Sequence, residues 1–131
     1  MTVELQMLVW ATALLFVLIV IQAAAGVHAQ GLVPMMNARD DLPAPKTFQA
    51  RMKRVVDNHR EGLTLFAPLA LAGAVAGAST PLTALGAQLF FYSRVAHAIL
   101  YIIGAPFVRP LAWAVGITGT IMMFLPLVGL A

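Results

Sequence analysis

An apolar run of 19 residues, MLVWATALLFVLIVIQAAA from Met7 to Ala25, is the feature that most restricts how this chain can fold. As a helix rising about 1.5 Å per residue, it spans roughly 28 Å, which is about the thickness of the hydrocarbon core of a bilayer. The sequence VHA before Gln30 also fits a signal-peptide cleavage site. A retained membrane helix is favoured, because Glu4 precedes the run and no Lys or Arg does.

Composition extends the membrane interpretation to the whole chain. Of the 131 residues, 61% are hydrophobic and 10% are charged, whereas an average soluble domain has about 25% charged residues. A soluble core of this length cannot bury so much apolar surface, so lipid is expected to cover it. The chain has no cysteine, which excludes disulfides, thiolate metal sites and a cysteine nucleophile. The three histidines lack the spacing of metal ligands, and we expect no metal site.

The hydrophobic segments predict an all-α fold, an integral membrane four-helix bundle that forms one domain over residues 1–131. The predicted helices cover residues 5–26, 47–79, 82–103 and 110–130. A loop is expected over residues 26–47, which are rich in Gly and Pro. Pro68 is expected to kink the second helix, and either Ser79 or Thr80 is expected to cap the third.

The basic residues predict how the bundle is oriented. Seven of the eight Lys and Arg residues lie around two connections, those between the first two and the last two helices: Arg39, Lys46, Arg51, Lys53, Arg54, Arg60 and Arg109. By the positive-inside rule these connections, including the 26–47 loop, face the cytoplasm. Both termini then face the periplasm of a bacterial inner membrane. Because the net charge of +3 arises at membrane borders, we expect no nucleic-acid partner.

A polar stripe opens the second predicted helix. Arg51, Arg54, Asn58 and Glu61 follow one another at helical spacing and share one face. Basic residues at this position are also typical of simple anchoring at the membrane border. However, Asn58 and Glu61 lie at the start of the apolar segment, where an unpaired carboxylate is costly. A cationic partner for Glu61 is therefore expected from another helix.

The third predicted helix carries a second polar stripe of Arg94, His97 and Tyr101. Arg94 lies roughly 15 Å from the cytoplasmic end of its helix, close to the middle of the membrane. Ionisable residues at that depth usually face the interior of a bundle and mark a site. We expect the two stripes to enclose a polar cavity with Arg94 facing Glu61, although a purely structural ion pair is the alternative. Arg109, at the start of the fourth helix, suits either membrane anchoring or stabilisation of a carboxylate or thiolate.

Three motifs carry a family resemblance. They are RMKRVVDNHRE at 51–61, RVAHAILY at 94–101 and APFVRP at 105–110. In content and order they resemble the MAPEG family, the membrane-associated proteins in eicosanoid and glutathione metabolism, and the chain looks like a bacterial-type member. The resemblance covers nearly the whole chain. It implies a homotrimer of four-helix subunits that binds glutathione between adjacent subunits, near the cytoplasmic side.

The resemblance also implies roles for individual residues. The implied glutathione-contacting residues are Arg51, Arg54, Asn58, Glu61, Arg94, His97 and Tyr101. Glu61 would accept the α-amino group, and Arg109, the implied catalytic residue, would favour the thiolate that attacks a lipophilic electrophile or hydroperoxide. The implied function is a membrane-bound glutathione-dependent transferase or peroxidase.

Two other functions compete with this one. A non-catalytic relative would use the same bundle to bind lipid or to serve as an accessory subunit of a larger membrane complex, with Glu61 and Arg94 as structural groups. A transporter is disfavoured, because the chain shows no inverted repeat and no sign of an unwound helix.

Overall fold

Five helices and no strand make up this computed structural model, which describes residues 1–131. In chain order the helices are α1 (Val3–Gln30), α2 (Leu32–Met36), α3 (Thr47–Ala76), α4 (Pro81–Ile102) and α5 (Val108–Leu127). The four long helices pack side by side: α1 contacts α3 and α4, and α5 lies mainly along α4. The predicted all-α fold is confirmed.

The connection between the first two long helices differs most from the sequence prediction. A loop was expected over 26–47, but α1 continues to Gln30 and a short helix, α2, follows directly. Gly31 separates the two helices with a φ of 91°, a left-handed value that glycine adopts without steric cost. Pro34 lies in the first turn of α2, where the missing N–H would have no helical partner.

The turn between α3 and α4 is defined by two caps. α3 continues past Pro68 and ends at Ala76 rather than at 79, because Gly77 adopts a left-handed φ of 64° and donates its N–H back to the last turn. Thr80 caps α4 in a reciprocal arrangement with Thr83, in which each side chain accepts from the backbone N–H of the other. α4 and α5 begin within two residues of their predicted starts.

Two apolar clusters fill the bundle. The first consists of Met7, Ala11, Phe66, Ala70, Ala87, Phe90 and Met123. The second consists of Leu18, Ala25, Met52, Val55, Val56 and Ala98. In the first cluster the rings of Phe66 and Phe90 stack with centroids 4.1 Å apart. α4 and α5 cross closely at Gly86 and Gly119, since a Cβ at Gly86 would lie only 2.5 Å from the carbonyl oxygen of Gly119.

The outer surface of the bundle is apolar. Phe16 is 70% exposed and Val75 is 90% exposed, and both belong to a large set of exposed hydrophobic side chains. α1 and α5 are long and apolar enough to cross a membrane, with mean hydropathies of 2.4 and 1.6. Lipid is the solvent in which such a surface is stable.

Glu4 joins three parts of the chain at one end of the bundle. Its side chain is only 5% exposed and accepts hydrogen bonds from the hydroxyls of Ser79, at 3.0 Å, and Thr83. Leu127, the last residue of α5, lines the small cavity beside it. Both termini and the α3–α4 turn thus share this end.

We predict that Glu4→Ala lowers the free energy of unfolding by about 2 kcal/mol, because it removes the hydrogen bonds that Ser79 and Thr83 donate to a buried charged acceptor. Thermal unfolding in detergent measures the effect. Glu4→Gln keeps an acceptor and should cost less, while Gln6→Ala, an exposed site two residues away, should change stability by less than about 0.5 kcal/mol. Equal melting temperatures for Glu4→Ala and Gln6→Ala would contradict the structural role.

Candidate functional site

Arg94 is a buried cation held between three helices. Its side chain, on α4, is 4% exposed, and its Nη1 donates to Oδ1 of Asn58 on α3 at 2.6 Å. A Cβ at Gly116 on α5 would lie 3.1 Å from Nη2 of Arg94, and a Cβ at Gly62 would lie 3.6 Å from Nη1. The two glycines therefore leave the space that the guanidinium occupies. Its buried Nε has no hydrogen-bond partner.

The expected ion pair between Glu61 and Arg94 is not formed within the chain. The Asn58 amide, about one turn before Glu61, takes the hydrogen-bonding position on Arg94, and Glu61 is exposed. The only ion pair in the structure joins Lys53 and Asp57, at 2.5 Å. Glu61 nevertheless lines the same narrow crevice as Asn58 and Arg94. Its carboxylate has no ion-pair partner within the chain.

The polar stripe of α4 extends from Arg94 to Tyr101, and Tyr101 contacts Arg109 on α5. His97 is buried, and its ring centroid lies 5.5 Å from that of Tyr101. The Arg109 guanidinium carbon lies 4.5 Å from the centroid of the Tyr101 ring, within the range of a cation–π contact. Tyr101 therefore orients the cation that the sequence placed at the head of the last helix.

Three of the predicted site residues meet in one cavity. Arg51, Arg54 and Arg109 line a space of about 470 Å³, here called the basic cavity, together with Pro45, Thr47, Ala50 and Gly104. Arg51 also donates to the carbonyl oxygen of Ile102, at 3.4 Å. No acidic residue lines the cavity. The three guanidinium groups are therefore not neutralised by the chain, and they attract anions from outside it. Such a cavity suits a ligand with more than one carboxylate.

Sequence reasoning left two residues out of the site, one that lines the crevice and one that joins two helices. Trp113, on α5, lines the crevice with Glu61 and Arg94, and its position one turn after Arg109 was the available signal. His59 is buried on α3, and its Nε2 lies 2.8 Å from the carbonyl oxygen of Ala11 on α1. It joins two helices and is not part of the crevice. No group of acidic residues, His or Cys could hold a metal ion.

Comparison with protein families identifies the chain. The sequence profile of the MAPEG family matches residues 7–129, almost the full length. The chain belongs to the MAPEG family. The MAPEG family contains glutathione transferases and peroxidases as well as non-catalytic members. MAPEG membership, together with the two apolar helices, makes this a membrane protein. A search of curated proteins finds no match, and neither does a search of solved structures.

Proposed function

We propose that the protein is a membrane-bound glutathione-dependent transferase or peroxidase that acts on lipophilic electrophiles. The observation that carries the proposal is the basic cavity, with its three arginines, on the same helix face as the unpaired carboxylate of Glu61. Glutathione has two carboxylates, one ammonium group and a thiol. A site for it needs several cations, one acid and a cation near the sulfur.

The dimensions of the site support this ligand. Arg54 and Glu61 are seven residues apart on α3, which is about 10 Å along a helix. A fully extended tripeptide spans at most about 10–11 Å. One molecule can therefore reach the arginines with one end and Glu61 with the other. The volume of about 470 Å³ also lies within the usual range of small-molecule sites, about 300–1,000 Å³.

Different residues of the chain bind glutathione and stabilise its thiolate. Arg51 and Arg54 bind the carboxylate at the glycine end, and Glu61 accepts the N–H groups of the α-amino end. Bound glutathione supplies the thiol nucleophile. Arg109, held against the ring of Tyr101, stabilises negative charge on the sulfur, and this raises the fraction of thiolate at neutral pH. The electrophile reaches it from the bilayer, along the apolar surface of the bundle.

The exposure of Glu61 favours an assembly of subunits. In a single chain the crevice beside Arg94 is narrow, with a volume of about 10 Å³, and Glu61 lies at its open side. We propose that the active form is a homotrimer of four-span subunits in a bacterial inner membrane, in which a neighbouring subunit closes this side. The basic cavity then faces the cytoplasm and both termini face the periplasm.

Stabilisation by glutathione tests the proposal. At a glutathione concentration ten times Kd, binding to the folded state should stabilise it by about 1.4 kcal/mol, which raises the melting temperature of the purified protein. Glu61→Gln should abolish this shift, because it removes the partner of the α-amino group. Asp57→Asn is the matched control, since it makes the same chemical change one turn earlier at an exposed site and should keep the shift.

A second candidate function is a non-catalytic membrane protein that binds lipid or braces a larger complex. The hydrogen bond between Arg94 and Asn58 favours it, because this buried cation finds one partner within its own chain. A folded protein that shows no shift with glutathione would support this candidate and contradict the enzymatic one.

A further inference from the structure

A second groove runs between α1, α2 and the start of α3, and it shares Pro45 and Ala50 with the basic cavity. Its volume is about 510 Å³. The α1 wall extends from Ile19 to Val27, eight residues or about 12 Å. We call it the interfacial groove. None of the arginines of the basic cavity lines it.

The groove changes from apolar to charged along its length. Ile19 and Ala23 form its deep part on α1, where both side chains are exposed on the membrane-facing surface. At the other end, Lys53 on α3 and Arg39, in the connection after α2, line the same space. Arg39 is fixed there because its Nε donates to the carbonyl oxygen of Met35 at 2.7 Å.

Amide side chains occupy the middle of the groove. Gln22 and Gln49 both line it. The oxygen of Gln49 accepts from the Gln30 amide, at 3.2 Å, which leaves the Gln49 amide nitrogen free to donate. Along the groove, apolar, amide and cationic side chains follow one another in the same order as the acyl chain, ester and phosphate of a phospholipid.

The short helix α2 supports an occupant of this kind. Leu32 and Met36 are 59% and 74% exposed and line the groove, so they need an apolar neighbour at the membrane border. Gly26 allows α2 to approach α1, since a Cβ there would lie 2.8 Å from Cε of Met35. α2 thereby forms one wall of a groove that opens toward lipid.

We propose that the interfacial groove binds one phospholipid per chain, with an acyl chain against Ile19 and Ala23 and the phosphate between Arg39 and Lys53. The pair between Lys53 and Asp57 is solvent-exposed, and such surface pairs contribute little to stability. Lys53 can therefore turn to a phosphate at little cost. The site is independent of the proposed glutathione chemistry.

Native mass spectrometry of the full chain, delipidated and titrated with dioleoyl phosphatidylglycerol, tests the proposal. We expect one tightly bound lipid per chain. Ala23→Trp fills the groove and should weaken binding at least tenfold, whereas Ala24→Trp, at the adjacent exposed alanine outside the groove, should bind as the unchanged protein does. The double variant Arg39→Gln/Lys53→Gln should also lose about tenfold, and Arg60→Gln, an exposed cation outside the groove, should not.

Three results would overturn the proposal. Equal binding by Ala23→Trp and Ala24→Trp would place the lipid elsewhere. Equally tight binding of dioleoylglycerol, which has no phosphate, would show that Arg39 and Lys53 do not bind a lipid phosphate. Absence of bound lipid in the unchanged protein would contradict the proposal directly. Because Ala23→Trp should keep its shift with glutathione, failure of this proposal is distinguishable from failure of the proposed function.

Discussion

Replacement of Arg109 by glutamine is expected to lower the rate of glutathione transfer by about 100- to 1,000-fold, the usual effect of removing one group that stabilises developing negative charge. The structure gives the reason, because Arg109 shares the basic cavity with Arg51 and Arg54 and packs over the ring of Tyr101. Arg51 and Arg54 remain to bind carboxylates, so the affinity for glutathione should change by less than about threefold. The measurements are the turnover rate with a lipophilic aryl halide and the ultraviolet absorbance of the bound thiolate.

Two controls separate a specific role of Arg109 from a general loss of positive charge. Arg109→Lys keeps a cation near the sulfur and should retain more activity than Arg109→Gln. Arg60→Gln removes the same charge from an exposed position outside the basic cavity and should leave turnover within about twofold. Undiminished thiolate absorbance in Arg109→Gln would assign the stabilisation of the sulfur to another group and contradict the proposed role.

The long helices were predictable from the sequence because apolar length and basic borders are local properties. Most of α1 is an apolar run broken only by Thr12 and Gln22, and lipid imposes a helix on such a run, since every backbone N–H and C=O group must be bonded internally. The short helix α2 was missed because five residues that contain Pro34 have the composition of a loop. It exists as part of the packing against α1, which is a tertiary property.

The candidate site was predictable as a set of helix faces but not as a set of contacts. Helical spacing put Asn58 and Glu61 on one face of α3, and both line the crevice with Arg94, but spacing could not decide which of the two reaches the guanidinium. That choice depends on how closely α3, α4 and α5 approach, and Gly62 and Gly116 set this distance. A single sequence gives no signal for such glycines.

The partners of Glu4 illustrate the same limit. The sequence shows an acid at the start of an apolar helix, but the hydroxyl that binds it belongs to Ser79, 75 residues later. Pairing over that separation follows from the antiparallel order of the bundle.

Replacement of Asn58 by leucine is expected to lower the free energy of unfolding by about 3 kcal/mol. The change removes the one side-chain hydrogen-bond partner of Arg94, a cation that is 4% exposed, and leaving a buried polar group without its partner costs about 1–3 kcal/mol, more when the group is charged. Reversible unfolding in mixed micelles gives the value. Gln88→Leu, which removes an exposed amide from α4, should change stability by less than about 0.5 kcal/mol.

The double variant Asn58→Leu/Arg94→Met tests whether the buried pair contacts glutathione or only joins the helices. Replacing both partners by apolar groups of similar volume is often nearly neutral, so the double variant should be more stable than Asn58→Leu alone, with a coupling energy of about 1–3 kcal/mol. If Arg94 or Asn58 helps to hold glutathione, the double variant is folded but loses the shift with this ligand. If both residues only join the helices, the double variant keeps the shift. Simple additivity of the two substitutions would show that the contact between Asn58 and Arg94 contributes nothing to either role.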